Sequence, residues 1–180
     1  MAEQIDFLQL RDFAVSTATR AAELVAARRA ELVAGDGIAA HTHTKSSDVD
    51  PVTEVDTATE EFIATTIRTQ RPGDGIFGEE GANVESTSGV TWIVDPIDGT
   101  VNFLYGVPDF AVSIGAEYQG RLVAGAVVNV ARGRTYAAAA GQGATVTGPD
   151  GKVHPLQCAH TKNPALALVA TGFGYDAQRR

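Results

Sequence analysis

The chain has 180 residues, a length that fits one ordinary domain or one large domain cut short, and with 44% hydrophobic and 20% charged residues it can form a packed core. Its formal net charge of −8 repels phosphate backbones and argues against general nucleic-acid binding. The single cysteine, Cys158, excludes an internal disulfide, and the first residues lack the pattern of a secretory signal. No run approaches the roughly 18 apolar residues of a membrane helix, so we expect a soluble, cytoplasmic protein.

Two amphipathic helices are predicted in the first part of the chain. Apolar residues recur at spacings of three and four, which predicts a long helix over about 5–33. The polar, turn-rich segment 41–53 predicts a loop. A second helix is predicted from about Thr53, where TEVD has the spacing of a capping box, to the breaker sequence at 71–73.

The remainder of the chain has the pattern of β-strands, predicted in GIFGEEG, at 92–94, in a three-stranded meander over 110–140, at 144–146 and at 166–171. The apolar run Trp92–Val94 predicts a central strand that is buried on both faces. Gly120 and Gly133 are the expected turn points of the meander. Helices followed by strands indicate an α+β fold, with two N-terminal helices packed on a mostly antiparallel sheet.

Four acidic residues are the candidate functional groups: Asp56, Glu79, Asp95 and Asp98. Carboxylates that converge at one end of a sheet repel one another, and a divalent cation such as Mg²⁺ removes that cost. In the segment DPIDGT, a turn can bring Asp98 beside Asp95, and free amides near Thr100 can face an anion. The pattern therefore predicts a metal-dependent phosphate-ester site.

Each acid also has a simpler interpretation when it is considered alone. Asp56 fits a capping-box acid, Glu79 and Glu80 fit solvated loop acids, and Asp-Pro and Asp-Gly are common turn dipeptides. Their joint occurrence favours a site, because a buried strand rarely opens into two acids without a partner for them.

The motifs GEEG, WIVDPIDGTVNF and VSIG, with KSSDVDPVTEVD before them, resemble the inositol monophosphatase family of Mg²⁺-dependent, lithium-sensitive phosphomonoesterases. The segment TGFGYDAQRR is similar to the bacterial branch of that family. The resemblance implies the N-terminal half of a layered αβαβα fold, in a single domain over 1–180 that is truncated at its C-terminus. The family's WD-x-A-A-G-like motif, whose aspartate completes the second metal site, does not occur in these 180 residues.

The resemblance implies a metal-binding role for four residues. Glu79, Asp95 and the Ile97 carbonyl would bind one Mg²⁺ ion, and Asp95 would bridge to a second ion shared with Asp98. The complete enzyme would hold two or three such ions. Glu79, Ile97 and Asp98 would also line the bound substrate.

It also implies roles for the residues around the metals. Gly99 and Thr100 would hold the substrate phosphate through their backbone amides. The Thr100 hydroxyl and Asp56, with help from the metal-binding Glu79, would orient and deprotonate the attacking water. Glu80 and Lys45 would lie near the site.

The implied activity is hydrolysis of a small phosphate monoester, with inositol 1-phosphate as the leading substrate, by an enzyme that is a homodimer when complete. Histidinol phosphate, fructose bisphosphate and 3′-phosphoadenosine nucleotides are alternative substrates of the same chemistry. Two other classes of function stay open: a non-catalytic regulatory binding protein that retains the fold, and a simple divalent-cation binder.

Overall fold

The computed structural model, which describes residues 5–34, 42–44 and 51–170, places two long helices on one face of an eight-stranded sheet. The helices are α1 (Phe7–Ala34), α2 (Glu54–Gln70) and the short α3 (Thr100–Tyr105). The strands are β1 (Thr42–Thr44), β2 (Pro51–Thr53), β3 (Gly75–Gly78), β4 (Asn83–Val84), β5 (Val90–Asp98), β6 (Ala111–Tyr118), β7 (Arg121–Asn129), β8 (Arg134–Ala139), β9 (Gly143–Thr147) and β10 (Val153–Leu156). None of the described helices has the length and apolar character needed to cross a bilayer.

The large sheet has the strand order β10-β9-β8-β7-β6-β5-β3-β4. Neighbouring strands run antiparallel, except that β3 and β5 are parallel. The predicted α+β class is confirmed, and so is the meander, because Gly120 and Gly133 take positive φ angles of 77° and 59° at its two turns. The parallel pair has a consequence for function, since the carboxyl ends of β3 and β5 lie at the same edge of the sheet.

The core lies between the helices and the sheet. Helix α1 packs across β6, β7 and β8, and α2 packs beside it against β5. Ala14, Ala18 and Ala21 are fully buried on α1, and their small side chains let the helix approach the strands closely. The larger fully buried side chains, each worth about 1.5–3 kcal/mol of burial, are Trp92, Phe103, Leu10, Ile63, Ile67, Ile97, Ile114, Val25, Val90 and Val112.

The segment before α2 differs from the predicted loop. Strands β1 and β2 form a two-stranded antiparallel sheet in which His43 pairs with Val52. The loop prediction is therefore wrong for 42–44 and 51–53, where β-branched threonine and valine favour extended backbone. The predicted capping box depends on the Thr53 side chain, which lies outside the described residues, as does the rest of the segment.

Strand β5 is buried on one face rather than on both. Trp92 and Val94 are 0% and 3% exposed beneath the helices, whereas Ile93 between them is only half-buried. Because the two sides of a strand alternate, Ile93 lies on the face away from α1 and α2. Within the described ranges both long helices pack on the opposite face of the sheet from Ile93. The prediction that Trp92–Val94 is buried on both faces is therefore wrong.

The strand predicted at 166–171 is wrong for 166–170, and residue 171 lies outside the described residues. Pro164–Leu166 forms a 3₁₀ turn capped by the Asn163 side chain, and Leu168 is fully exposed. The sheet instead ends with β10, which the sequence analysis did not predict. Pro155 argues against a strand in the sequence, because proline cannot donate a backbone hydrogen bond. It is tolerated here because β10 lies at the edge of the sheet.

Asp74 joins the end of α2 to the core of the sheet. Its carboxylate is 7% exposed and accepts hydrogen bonds from the Trp92 indole at 2.8 Å and the Ser88 hydroxyl at 2.6 Å. Arg71 pairs with the same carboxylate and lies 5.8 Å above the Trp92 ring. One buried acid thus fixes the orientation of the largest side chain of β5.

We expect Asp74→Ala to lower the free energy of unfolding by about 1–3 kcal/mol, because the buried indole N–H of Trp92 loses its acceptor. Urea titration followed by the fluorescence of the single tryptophan measures the change. Asp12→Ala is the matched control, since the Asp12 side chain is 67% exposed and forms a surface ion pair with Arg11. Equal stability losses in the two variants would contradict the role of Asp74.

Candidate active site

A β-bulge at the end of β5 brings two acids to the same side of the strand. Asp95 pairs with Ser113 and Asp98 pairs with Ala111, so three steps along β5 oppose two steps along β6. Pro96 and Ile97 are buried in succession, which interrupts the usual alternation. Proline fits this position because a bulged residue need not donate to the ladder. Without the bulge, residues three apart would lie on opposite faces of the sheet.

The parallel pairing of β3 with β5 brings a third acid to the same edge. Glu79 follows β3 directly, and its backbone amide donates to the Val94 carbonyl at 3.1 Å. Its side chain is hydrogen-bonded to Asp95. A hydrogen bond between two carboxyl groups requires one of them to hold a proton.

The fourth acid, Asp56, comes from the first turn of α2 and is 2% exposed. Burial, followed by the charges of Glu79, Asp98 and Asp56, raises the pKa of Asp95 from 3.8 to about 8. Asp95 Oδ1 is buried and has no hydrogen-bond partner among the described residues. A buried oxygen without a partner, surrounded by like charges, fits a bound cation.

The four carboxylates lie near one another, but they do not converge on a single metal position. Within 5–34, 42–44 and 51–170, no three Asp, Glu, His or Cys side chains are placed to hold a metal ion together. The site thus supplies the oxygen ligands that Mg²⁺ prefers, in an arrangement that is not yet a coordination shell.

The turn after β5 is built on glycine. Gly99 has a φ of 89°, in the left-handed region, and an added Cβ would lie 3.1 Å from the Asp109 carbonyl oxygen. The Thr100 hydroxyl donates to the Ile97 carbonyl at 3.0 Å. A hydroxyl has a single proton, so the Thr100 hydroxyl would have to rotate away from Ile97 before it could donate to Asp56 or to a water between them.

The predicted site residues therefore fall into three groups. The structure brings together Asp56, Glu79, Asp95 and Asp98. It places Ile97 near the end of β5, Gly99 in the turn that follows and Thr100 at the start of α3. Glu80 lies beside Glu79, and its backbone amide donates to a buried carboxylate of α2. Lys45 lies outside the described residues. The catalytic, metal-binding and phosphate-binding roles of these residues stay predictions.

Sequence reasoning missed one buried acid next to the site, Glu60. It is 4% exposed, and its carboxylate accepts hydrogen bonds from the backbone amides of Glu80 at 2.7 Å and Ala82 at 2.8 Å. A signal was present in the sequence, because Glu60 follows Asp56 by one helical turn and precedes the buried Ile63 by three residues. A charged residue on the core face of a helix needs a polar partner in the fold.

Comparison with known proteins identifies the family. The model of the inositol monophosphatase family matches residues 6–180. Inositol-1-monophosphatase SuhB of Mycobacterium tuberculosis (strain ATCC 25618 / H37Rv) is 49% identical over 181 residues, covering 96% of this chain and 62% of that protein. Nus factor SuhB of Pseudomonas aeruginosa is 40% identical over 129 residues, covering 70% of this chain and 46% of that protein. The chain thus spans less than two thirds of the length of these relatives.

Solved structures agree with the fold. The structure of Mycobacterium tuberculosis SuhB has a TM-score of 0.78 and 42% identity, over 97% of this chain and 62% of that one. The Thermotoga maritima IMPase has a TM-score of 0.67 and 31% identity, over 76% of this chain and 50% of that one. These likenesses confirm the arrangement of helices on a mixed sheet.

We expect Asp95→Asn to stabilise the metal-free protein relative to wild type, increasingly so between pH 5 and pH 8. The folded-state pKa of Asp95, about 8, lies above its ordinary value of 3.8, so the unfolded state releases this proton first as pH rises. Wild type therefore loses stability over this range, and asparagine does not. Chemical denaturation with a chelator present measures the difference, with Asp12→Asn as the exposed control. A gap between wild type and Asp95→Asn that does not change with pH would contradict the prediction.

We expect Gly99→Ala to destabilise the protein more than Gly141→Ala. Both glycines have positive φ angles, 89° and 76°, so each alanine incurs the left-handed backbone cost of roughly 1–2 kcal/mol. At Gly99 the added Cβ also lies close to a backbone oxygen. At Gly141 no atom of the described residues lies within 4 Å of the added Cβ. Thermal denaturation of the two variants compares them, and equal losses would show that close approach at Gly99 is unimportant.

Proposed function

Since the chain belongs to the inositol monophosphatase family, we propose that it supplies the metal- and phosphate-binding carboxylates of a metal-dependent phosphomonoesterase. One observation supports the proposal most directly. Asp95 Oδ1 is buried without a hydrogen-bond partner among the described residues, while burial and three neighbouring acids raise the pKa of Asp95 to about 8. A cation is the chemical group that offsets such crowding of negative charge.

The proposed metal ligands are Glu79, Asp95, the Ile97 carbonyl and Asp98. All of them present oxygen, which suits Mg²⁺ or Mn²⁺ better than metals that prefer sulfur or nitrogen. When bound, such an ion would lower the pKa of water and offset the charge of a phosphate group. Asp98 is exposed and can adjust to an ion, whereas Asp95 is held within the sheet.

The remaining residues are proposed to orient the reactants. Asp56 is 2% exposed at the start of α2, where its carboxylate can accept a proton from the attacking water. The Thr100 hydroxyl is proposed to turn from the Ile97 carbonyl towards that water. The amides of Gly99 and Thr100 are proposed to hold phosphate oxygens, because the left-handed backbone of Gly99 starts α3 there.

The proposed substrate is a small sugar-alcohol phosphate, with inositol 1-phosphate first because relatives carry the name inositol-1-monophosphatase. Histidinol phosphate, fructose bisphosphate and 3′-phosphoadenosine nucleotides are alternatives that share the phosphate end. Homodimer formation is part of the same proposal.

A second candidate function is a regulatory binding role. One relative, 40% identical to this chain, carries the name Nus factor SuhB. A protein of this fold can therefore be named for something other than hydrolysis, and the two functions need not use the same residues. The two functions can be distinguished by testing whether phosphate hydrolysis depends on the acidic residues.

We expect Asp98→Asn to slow phosphate release from inositol 1-phosphate with Mg²⁺ by at least about 100-fold, since each tenfold loss corresponds to about 1.4 kcal/mol and a metal ligand is worth several. A phosphate-release assay of the full-length protein measures the rate. Asp150→Asn is the control, because Asp150 is an exposed acid in the turn between β9 and β10. Equal rates in wild type and Asp98→Asn would favour the binding role.

Calorimetry on the same proteins tests the third possibility, a simple cation binder. In a phosphomonoesterase, inorganic phosphate and Mn²⁺ should each strengthen the binding of the other in wild type, and Asp98→Asn should weaken this coupling. Tight Mn²⁺ binding that phosphate leaves unchanged would favour the cation binder instead.

A further inference from the structure

Glu60 holds the loop that carries Glu79. The Glu60 carboxylate is 4% exposed, and each of its two oxygens accepts one backbone N–H: Oε2 from Glu80 at 2.7 Å and Oε1 from Ala82 at 2.8 Å. Hydrogen bonds to an ionised group are shorter and stronger than those between neutral groups. A carboxylate that accepts two fixed amides therefore acts as a clamp on the loop.

The loop is held from its other side by β5. The Glu79 amide donates to the Val94 carbonyl at 3.1 Å, and the Gly78 amide donates to the Ala82 carbonyl at 2.9 Å. Consecutive amides at 79 and 80 thus point to different elements, the first to β5 and the second to α2. The backbone of Glu79 is fixed between them, which limits where its side chain can reach.

Gly78 makes room for the clamp. An added Cβ at this position would lie 2.4 Å from Glu60 Oε2 and 2.6 Å from Glu60 Cδ, far inside contact distance. Gly78 is not among the residues of the described chain with positive φ, so a left-handed backbone does not explain the glycine. The close approach of the carboxylate does explain it.

We propose that Glu60 is a positioning residue that holds Glu79 beside Asp95 for metal binding, with Gly78 as the space that the Glu60 carboxylate requires. The metal part of this inference rests on the proposed function. Glu60 acts through the backbone of the loop, because its carboxylate accepts the amides of Glu80 and Ala82. Asp56 lies one turn earlier on the same helix, so α2 sets the positions of two acids of the site, one directly and one through Glu60.

Glu60→Gln tests the clamp, because the amide NH₂ that replaces one oxygen cannot accept a backbone N–H. Mn²⁺ titration calorimetry on the full-length protein should show affinity about tenfold or more below wild type, as is typical when a group supporting a metal ligand is lost. Glu61→Gln is the matched control, since Glu61 is the adjacent, exposed glutamate of α2, with a side chain 66% accessible. Wild-type Mn²⁺ affinity in Glu60→Gln would overturn the proposal.

Backbone hydrogen exchange distinguishes failure of the clamp from failure of the proposed function. In metal-free protein, the amides of Glu80 and Ala82 should exchange about tenfold faster in Glu60→Gln, and not in Glu61→Gln, because a charge-assisted hydrogen bond is lost. If wild type binds no Mn²⁺, the proposed function fails and the metal part of this inference fails with it. Unchanged exchange at these amides would overturn the clamp, whatever the metal result.

Gly78→Ala supplies an independent check through a double-mutant cycle. In wild-type background it should weaken Mn²⁺ binding and speed exchange at Ala82, because its Cβ displaces the Glu60 carboxylate. In a Glu60→Ala background the same change should have little further effect, since the obstructing group is gone. Additive effects of the two substitutions would overturn the role assigned to Gly78.

Discussion

Mutual repulsion among carboxylates at the end of β5 is the constraint that organises this part of the molecule. Burial and the charges of Glu79, Asp98 and Asp56 raise the pKa of Asp95 to about 8, and Asp95 Oδ1 has no hydrogen-bond partner among the described residues. Such a cluster would separate unless the backbone held it. The parallel pairing of β3 with β5, the bulge between Asp95 and Asp98, and the buried start of α2 together provide that restraint.

Helix α2 links the hydrophobic core to the site. Ile63 and Ile67 are fully buried on it, and they fix the helix against the sheet. The same helix carries Asp56 and Glu60 one turn apart on its buried side, so packing of the apolar residues also determines where these carboxylates lie. A loss of core packing in α2 would therefore change the site without altering any acidic residue.

Strand β5 is restrained in a similar way at its centre. Trp92 is fully buried, donates to Asp74 and lies beneath Arg71, and its ring is 4.9 Å from that of Phe13 on α1. These contacts fix the register of β5 three residues before Asp95. The hydrogen bonds of Asp74 thus hold β5, and those of Glu60 hold the loop after β3. In both networks each oxygen of a buried carboxylate accepts at least one hydrogen bond.

The amino-acid sequence determined the elements with strong local patterns: α1 and α2 by their apolar spacing, the meander by its turn glycines, and the acidic motif around Asp95 and Asp98 by its likeness to a family. The sequence did not predict β1, β2 and β10, which are strands because they pair with a neighbouring strand. It also predicted a strand at 166–170, where none forms. The sequence predicted that Glu79, Asp95 and Asp98 converge, but only the tertiary structure showed that the parallel pairing of β3 with β5 and a bulge in β5 bring them together. Only the tertiary structure showed that Glu60 clamps the loop. The reason is physical: periodicity reports contacts within a few residues, whereas these contacts depend on strand pairing and helix packing between distant segments.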